Sequence, residues 1–176
     1  MSIHSSVSER IHIRRLLEDD PALIAAEFAK IGWHKPQTQY ETYYEAQQAG
    51  ECHVFVAFVD EQFAGYVTLF WEAGYEPFRH AMIPEIRDLN VLPYFRRRGI
   101  GRTLIQCCEE TAAERTATIG IGVGMYPDYG NAQRLYVKMG YVPDGRGLTY
   151  NGQILKPMQR TINDDSLVLF FTKKLR

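Results

Sequence analysis

The stretch Ile86-Arg-Asp-Leu-Asn-Val-Leu-Pro-Tyr-Phe-Arg-Arg-Arg-Gly-Ile-Gly-Arg102 decides the fold of this chain. The part from about Pro84 to Leu92 is predicted to be a β-strand, and it stops at Pro93, which cannot donate a backbone hydrogen bond. From Gly99 to about residue 115 the apolar positions fall on one helical face, which predicts an amphipathic helix. We therefore expect a strand that runs through a glycine-containing turn into a helix.

The turn in this stretch has the features of a polyphosphate site. The first amide groups of a helix have no intrahelical acceptor and lie at the positive end of its dipole, so they can hold an anion. Gly99 and Gly101 lack the Cβ atoms that would keep a phosphate away from those amides. Arginines at positions 96, 97, 98 and 102 concentrate positive charge in a chain whose net charge is -1. The alternative interpretation is a tight turn whose arginines are merely solvated.

Two common nucleotide-binding patterns do not fit this turn. It lacks the G-x-x-x-x-G-K-[ST] pattern of ATP-type P-loops. It also lacks the first glycine of the dinucleotide pattern G-x-G-x-x-G. Neither nucleotide-binding fold is therefore expected.

The remaining segments predict a mixed α/β domain. The elements are expected in the order β-α-α-β-β-β-α-β-α-β-β, with a strand near residues 140–142, a long loop and a last strand at 167–172. No linker or repeat divides residues 1–176, so one domain is expected, with residues 1–10 as a flexible tail. The strand at 118–125 carries glycines at positions 120, 122 and 124 on one side. This bare face either leaves room for a ligand or allows close packing.

Composition and charge are ordinary for a soluble globular protein. Of the 176 residues 45% are hydrophobic and 23% are charged, and the net charge of -1 does not suggest a nucleic-acid partner. No apolar run approaches the roughly 20 residues of a membrane helix, so a cytoplasmic protein without a membrane partner is expected. Three cysteines (Cys52, Cys107 and Cys108) suit neither a disulfide framework nor a zinc site, and the histidines are scattered. No metal is expected.

Two motifs of the chain resemble those of the GNAT superfamily of N-acetyltransferases. The first is [RQ]-x-x-G-x-[GA] after a strand of the form Leu-x-Val-x-Pro, matched by Leu89, Val91, Pro93, Arg96, Gly99 and Gly101. The second is L-Y-x-x-x-G-[FY], to which Leu135-Tyr136-x-x-x-Gly140-Tyr141 is similar. The order of elements from Ile11 to Lys174 also resembles that superfamily. Two motifs at the family's separation are much more specific than one.

The resemblance implies a fold and a cofactor. The fold is a central mixed β-sheet of about six to seven strands, splayed between the fourth and fifth strands and flanked by about four helices. The cofactor is acetyl-CoA, with its pyrophosphate on the amides of the turn and its pantetheine arm paired with the preceding strand like an added strand. The residues expected to bind it are Leu89, Asn90, Val91, Arg96, Arg97, Arg98, Gly99, Ile100, Gly101 and Arg102.

The resemblance also suggests catalytic residues. Tyr136 matches the family tyrosine that faces the thioester sulfur and is proposed as the general acid for the departing thiolate. An alkyl amine with a pKa of about 10.4 is neutral in only about one molecule in 2,500 at pH 7, so a base is useful. Glu85 holds the place of the base in some members, with a rim carboxylate or a water chain as alternatives and Asp88 as the reserve. Many members carry an asparagine where this chain has Tyr129, and the nearby Asn131 is not assigned.

The activity that the resemblance implies is acetyl transfer to a primary amine of a small molecule or peptide, by direct attack in a ternary complex. An aromatic and acidic rim that suits a cationic amine is expected from Tyr40, Tyr43, Tyr44, Trp71, Glu72, Tyr75 and Glu76. The alternatives are a non-catalytic acyl-CoA sensor or binding module, and a nucleic-acid contact through Arg96 to Arg98. Either a monomer or a homodimer is expected.

Overall fold

The computed structural model of the chain describes residues 10–175. Residues 1–9 of the predicted tail lie outside this range. The Arg10 amide donates to the Asp60 carboxylate (3.2 Å), and its carbonyl accepts from the Asp60 amide (3.3 Å). The chain is therefore attached to the fold from Arg10 onward.

Five helices and eight strands follow one another along the described residues. The helices are α1 (Asp20–Lys30), α2 (Gln37–Gln48), α3 (Glu76–His80), α4 (Ile100–Ala113) and α5 (Gly130–Lys138). The strands are β1 (Ile11–Arg15), β2 (Cys52–Val59), β3 (Gln62–Phe70), β4 (Glu85–Val91), β5 (Thr118–Gly124), β6 (Val142–Tyr150), β7 (Gln153–Ile154) and β8 (Leu167–Lys174). Short 3-10 turns at Pro93–Phe95 and Pro127–Tyr129 precede α4 and α5.

One sheet contains all eight strands, in the order β1-β2-β3-β4-β5-β8-β6-β7. Strands β4 and β5 are parallel and the other neighbouring pairs are antiparallel, which confirms the predicted mixed α/β class. The strand in excess of the expected six to seven is β7, which lies in the segment after residue 142 that was predicted as a long loop. The strand predicted near residues 140–142 begins at Val142 and extends into that segment as β6, which pairs with β8 and with β7. The additional helix is α3, which has only five residues.

The sheet is splayed between β4 and β5, as predicted. Only two residue pairs join these strands, Glu85 with Gly120 and Ile86 with Ile121. Beyond them β4 remains paired with β3 on one side, up to Val91, but on the β5 side it has no partner among residues 10–175. Backbone groups along this edge are therefore available to a ligand.

Each face of the sheet packs against its own helices. On one face, α4 buries Ile100 and Leu104 in a cluster that also contains Tyr136 of α5. On the other face, Phe28 of α1 and Tyr40 of α2 are fully buried against β2 and β3. The gap between β4 and β5 therefore lies between two separately packed halves of the core.

A glycine in β3 sets how closely β4 can approach. A Cβ atom added to Gly65 would lie 2.3 Å from the Asn90 carbonyl oxygen and 3.0 Å from Val91 Cα. Any larger residue at this position would push the two backbones apart. Gly65 thereby sets the position of the part of β4 that is paired with β3 but not with β5.

Candidate active site

The turn before α4 leaves backbone amides free. Arg97 (φ 64°) and Gly99 (φ 86°) have left-handed backbone conformations, which are typical of anion-binding concavities. No side chain caps α4, and the amides of Ile100, Gly101 and Arg102 donate to no acceptor within residues 10–175. These N–H groups lie at the positive end of a helix of 14 residues, so the turn can hold an anion.

The space beside the turn depends on Gly101. A Cβ atom at this position would meet Leu135 Cδ2 at 3.5 Å and Val91 Cγ2 at 3.9 Å, which are ordinary contacts. Gly101 therefore lies where α4, α5 and the open edge of β4 meet. The packing of the protein alone would accept an alanine there.

Two of the arginines of the turn contact the protein itself. Arg96 donates from Nε to the Val91 carbonyl (3.1 Å), and its guanidinium lies 5.5 Å from the centroid of the Trp33 ring. The Arg98 guanidinium lies 5.3 Å from the centroid of the Phe95 ring. Both side chains therefore help to shape the turn.

Arg97 and Arg102 have different surroundings. Both are exposed, and neither side chain makes a hydrogen bond or an ion pair with another described residue. Guanidinium groups bind phosphate with charge-assisted hydrogen bonds. Arg97 and Arg102 are thus better placed than Arg96 to pair with a phosphate at this turn.

Tyr136 lies on α5 and packs within the α4-side cluster. Only 5% of the residue is exposed, and its ring centroid is 6.2 Å from that of Tyr141. Its hydroxyl makes no hydrogen bond with any residue in the described range. Burial raises the pKa of Tyr136 above its ordinary value, so the hydroxyl stays protonated at neutral pH and can donate.

Glu85 is the first residue of β4, where this strand is paired with β5, and its side chain is buried. Its Oε2 atom accepts from the Gly74 amide (2.8 Å), the Tyr75 amide (3.4 Å) and Arg87 Nε (3.0 Å). Its Oε1 atom makes no hydrogen bond with a described residue. The next residue of β4 packs in the cluster that holds Tyr136, and side chains alternate along a strand, so Glu85 and Tyr136 lie on opposite faces of the sheet.

Aromatic rings cover the glycine face of β5. Cβ atoms added at positions 120, 122 and 124 would lie 2.1, 2.8 and 2.3 Å from the nearest ring atoms. The rings belong to Phe78, Phe170 and Tyr129, respectively. Of the two interpretations of this face, close packing is therefore correct.

Tyr129 has a structural role at the position where many family members carry an asparagine. Besides covering β5, its hydroxyl donates to the Asp165 carboxylate (2.8 Å), as does that of Tyr126. The hydrogen bonds from Tyr126 and Tyr129 lower the pKa of Asp165. Asn131 is exposed and contacts no described residue through a hydrogen bond.

Sequence reasoning missed a hydrogen-bonded cluster on the other face of β4, in which Asp88 is the shared acceptor. The donors are Lys35, Gln39, Tyr43, Tyr66 and Asn90. The spacing of Gln39 and Tyr43, four residues apart on α2, could have indicated that one helix face carries donors. Lys35 and Tyr66 could not be recognised as donors from the sequence, because their approach to Asp88 depends on how the loop before α2 and strand β3 pack.

The predicted aromatic and acidic rim is not one surface. Tyr40 is fully buried, and Tyr75 is 2% exposed and stacks on Phe170 with ring centroids 3.8 Å apart. Both belong to the core, so the prediction that they form a rim is wrong. Glu72 and Glu76 are exposed, as predicted.

No group of three or more His, Cys, Asp and Glu side chains within residues 10–175 could hold a metal ion. No helix there is both long enough and apolar enough to cross a membrane.

Several solved structures are similar to the chain. An N-acetyltransferase from Staphylococcus aureus has a TM-score of 0.70 at 17% identity, covering 95% of this chain and 99% of that one. A ribosomal-protein-alanine N-acetyltransferase from Brucella melitensis has a TM-score of 0.67 at 22% identity, covering 93% and 99%. A protein from Salmonella typhimurium that was solved with acetyl-CoA has a TM-score of 0.68 at 18% identity, covering 94% of each chain. At such identities the likeness shows the fold alone.

Sequence comparison points to the same family. No curated protein sequence matches the chain. The sequence profile of the acetyltransferase (GNAT) family matches residues 14–141, which include β4, the turn, α4 and Tyr136. Because this match spans more than half of the 176 residues and the splayed sheet agrees with it, the chain belongs to the GNAT acetyltransferase family.

Proposed function

We propose that the protein is an acetyl-CoA-dependent N-acetyltransferase that acts on a primary amine of a small molecule or peptide. The observation that carries the proposal is the adjacency of two unfilled backbone surfaces, the uncapped start of α4 and the open edge of β4. They adjoin because β4 runs directly into the turn. A ligand with a diphosphate at one end and an amide-rich arm fits both surfaces.

The turn and the strand would divide the binding of acetyl-CoA between them. Backbone amides from Arg97 to Arg102 would hold the diphosphate, with the exposed guanidinium groups of Arg97 and Arg102 as additional donors. The backbone of Leu89–Val91 would pair with the pantetheine arm as an added strand does. Acetyl-CoA supplies an activated acyl group, and the strand would direct it towards the gap in the sheet.

Tyr136 would stabilise the leaving thiolate by a hydrogen bond. A free phenol near pKa 10 is a weaker acid than a thiol near 8.5, so complete proton transfer costs roughly 2 kcal/mol. Burial raises the pKa of Tyr136 and increases that cost. A hydrogen bond from the protonated phenol to the developing thiolate is therefore the better description of its role.

Glu85 would act as the base that accepts the proton of the amine. Three donors fix Oε2, whereas Oε1 makes no hydrogen bond with a described residue and is the atom that would accept the proton. Asp88, the reserve candidate, accepts hydrogen bonds at both of its carboxylate oxygens. This difference favours Glu85 over Asp88.

Direct attack by the amine is favoured over an acetyl-cysteine intermediate. All three cysteines are free thiols, and two of them, Cys52 and Cys108, are buried. Burial raises the pKa of Cys52 to about 11 and also raises those of Cys107 and Cys108. The nucleophilic thiolate is therefore scarce at neutral pH.

Calorimetry with acetyl-CoA, followed by an assay of thiol release with a panel of acceptors, tests the proposal. The panel contains polyamines, aminoglycosides and peptides with free N-termini, each paired with an analogue in which a hydroxyl replaces the amine. We expect binding of acetyl-CoA and thiol release with amines only. No heat of binding would refute the cofactor assignment, binding without release would favour an acyl-CoA sensor, and release with the hydroxyl analogues alone would indicate O-acetylation.

A further inference from the structure

Strand β4 contains an irregularity at Asp88. This residue has a left-handed backbone (φ 52°), and the register between β3 and β4 shifts opposite it, between Tyr66 and Thr68. Two residues earlier β4 is still paired with β5, and the residues after it form the open edge. The bulge therefore lies at the point where β4 leaves its parallel neighbour.

The side chain of Asp88 attaches this bulge to helix α2. Its Oδ2 atom accepts from Gln39 Nε2 (2.8 Å) and from the Tyr43 hydroxyl (3.1 Å), both on α2. The same oxygen accepts from the hydroxyl of Tyr66 on β3. One carboxylate oxygen thus connects α2, β3 and β4.

The other oxygen of Asp88 is also occupied. Its Oδ1 atom accepts from Asn90 Nδ2 (2.8 Å) on the open edge, and Lys35 Nζ lies 3.4 Å away in the loop before α2. Lys35 also lies 5.4 Å from the Phe28 ring centroid, so the loop is held from two directions. Both oxygens of Asp88 therefore face donors from the protein itself.

The donors of this cluster keep their protons. Burial, together with the Asp88 charge, raises the pKa of Tyr43 and that of Tyr66. Both hydroxyls are therefore donors at any pH at which the fold is stable. Asp88 could accept a proton from an acceptor amine only if some of these hydrogen bonds broke.

We infer that Asp88 is a positioning residue, which fixes the bulge of β4 so that the backbone of Leu89–Val91 faces the cofactor. It also connects helix α2, on the face opposite α4, to that strand. The inference rests on the proposed binding of acetyl-CoA along β4. It removes Asp88 from the candidates for the base, although the residue lies beside the proposed site.

Asp88→Asn tests this inference, because asparagine also tolerates left-handed backbone but lacks the charge and one acceptor oxygen. The hydrogen bonds to the charged group are lost in part, so we expect about tenfold weaker binding of acetyl-CoA by calorimetry. Faster amide hydrogen exchange at Leu89–Val91 is expected as well. Tyr43→Phe removes a single donor and should give a smaller change in the same direction.

Asp60→Asn is the matched control. Asp60 also has a left-handed backbone (φ 45°), but it lies in the turn between β2 and β3. We expect wild-type affinity for acetyl-CoA and wild-type exchange at Leu89–Val91 in this variant. An equal effect of the two substitutions would overturn the inference.

The pH-rate profile separates positioning from proton transfer. For a positioning residue, Asp88→Asn lowers kcat/KM by the same factor over the pH range, whereas a loss that shrinks as the pH approaches the pKa of the acceptor amine would make Asp88 the base. If the wild-type protein bound no acetyl-CoA, the proposed function would fail, and the exchange measurement would still decide this inference. Unchanged exchange at Leu89–Val91 in Asp88→Asn would refute it.

Discussion

The two sides of β4 are built in different ways. On the side of the turn, the binding surface consists mainly of backbone groups within a short segment, from the open edge of β4 to the start of α4. On the side of Asp88, the surface consists of side chains from distant segments, and Lys35 is 53 residues away from Asp88 in sequence. One surface is local and made by backbone conformation, and the other is assembled by tertiary packing.

This difference indicates which substitutions each side can accept. A backbone site requires certain conformations, such as the left-handed Gly99, but it sets few demands on the neighbouring side chains. A side-chain network loses a donor or an acceptor with almost any substitution, and the group left behind remains buried and unpaired. We therefore expect the turn side to bind the cofactor directly, and the other side to supply the base and to affect cofactor binding only through the position of β4.

Glu85→Gln has the largest expected effect. It tests whether the surface that is made of side chains takes part in the chemistry. Loss of the base should lower kcat/KM by about a hundredfold at neutral pH, which corresponds to about 2.7 kcal/mol. The difference should shrink as the pH approaches the pKa of the acceptor amine, because the amine then loses its proton unaided.

Glu110→Gln is the control for this prediction. Glu110 lies on α4 and is an exposed carboxylate whose side chain makes no hydrogen bond with a described residue, so its loss removes the same charge away from the proposed site. We expect its pH-rate profile to match the wild type. A wild-type profile for Glu85→Gln as well would reject Glu85 as the base and favour a water chain.

Gly120→Ala has the next largest expected effect, and it concerns stability. The added Cβ atom would lie 2.1 Å from the buried ring of Phe78, so the ring or the strand must move. Overpacking of this kind costs about 2 kcal/mol, which lowers Tm by about 6 °C in a chain of this size. Thermal unfolding monitored by circular dichroism measures it.

Gly101→Ala is the paired substitution on the turn side. Its Cβ atom makes only ordinary contacts with the protein, so Tm should change by less than about 2 °C. Equal losses of stability in the two variants would show that both sides are packed alike and would remove the contrast between them.

The contrast also explains what could be predicted from the sequence. The strand, the turn and α4 could be predicted because their signals are local, namely a proline, two glycines and a helical apolar pattern between residues 93 and 115. The splay of the sheet followed from the family resemblance that those motifs supported. The strand predicted near residues 140–142 overlaps β6 only at Val142. The rest of β6 was missed because much of the segment up to Tyr150 is polar, exposed and glycine-containing, so only its pairing with β8 makes it a strand.

The candidate site divides in the same way. Gly99, Gly101 and the arginines of the turn belong to one short motif, and the structure brings them together beside the edge of β4. The donors around Asp88 come from four separate segments, and no spacing rule joins them. The rings over β5 were missed for a similar reason, since the glycines of β5 indicate close approach but not which residue approaches.

Tyr136→Phe has the smallest expected effect and tests the one side chain that the turn side is proposed to contribute to the chemistry. The substitution removes only the hydroxyl, and the ring stays in the α4-side cluster. Loss of a hydrogen bond to a charged leaving group costs about 1.5 kcal/mol, so kcat should fall about tenfold. The affinity for acetyl-CoA should change little, because the bond strengthens only as charge develops on the sulfur.

The pH dependence of this variant distinguishes hydrogen bonding from proton transfer. Because burial raises the pKa of Tyr136, the phenol remains protonated over the range in which the enzyme is assayed, so its removal should lower kcat by the same factor at each pH. Tyr94→Phe, which removes an exposed hydroxyl that bonds to no described residue, serves as the control and should keep the wild-type rate. An unchanged kcat in Tyr136→Phe would remove this tyrosine from the mechanism. The chemistry would then depend entirely on the Glu85 side of the strand, with the turn side acting only in binding.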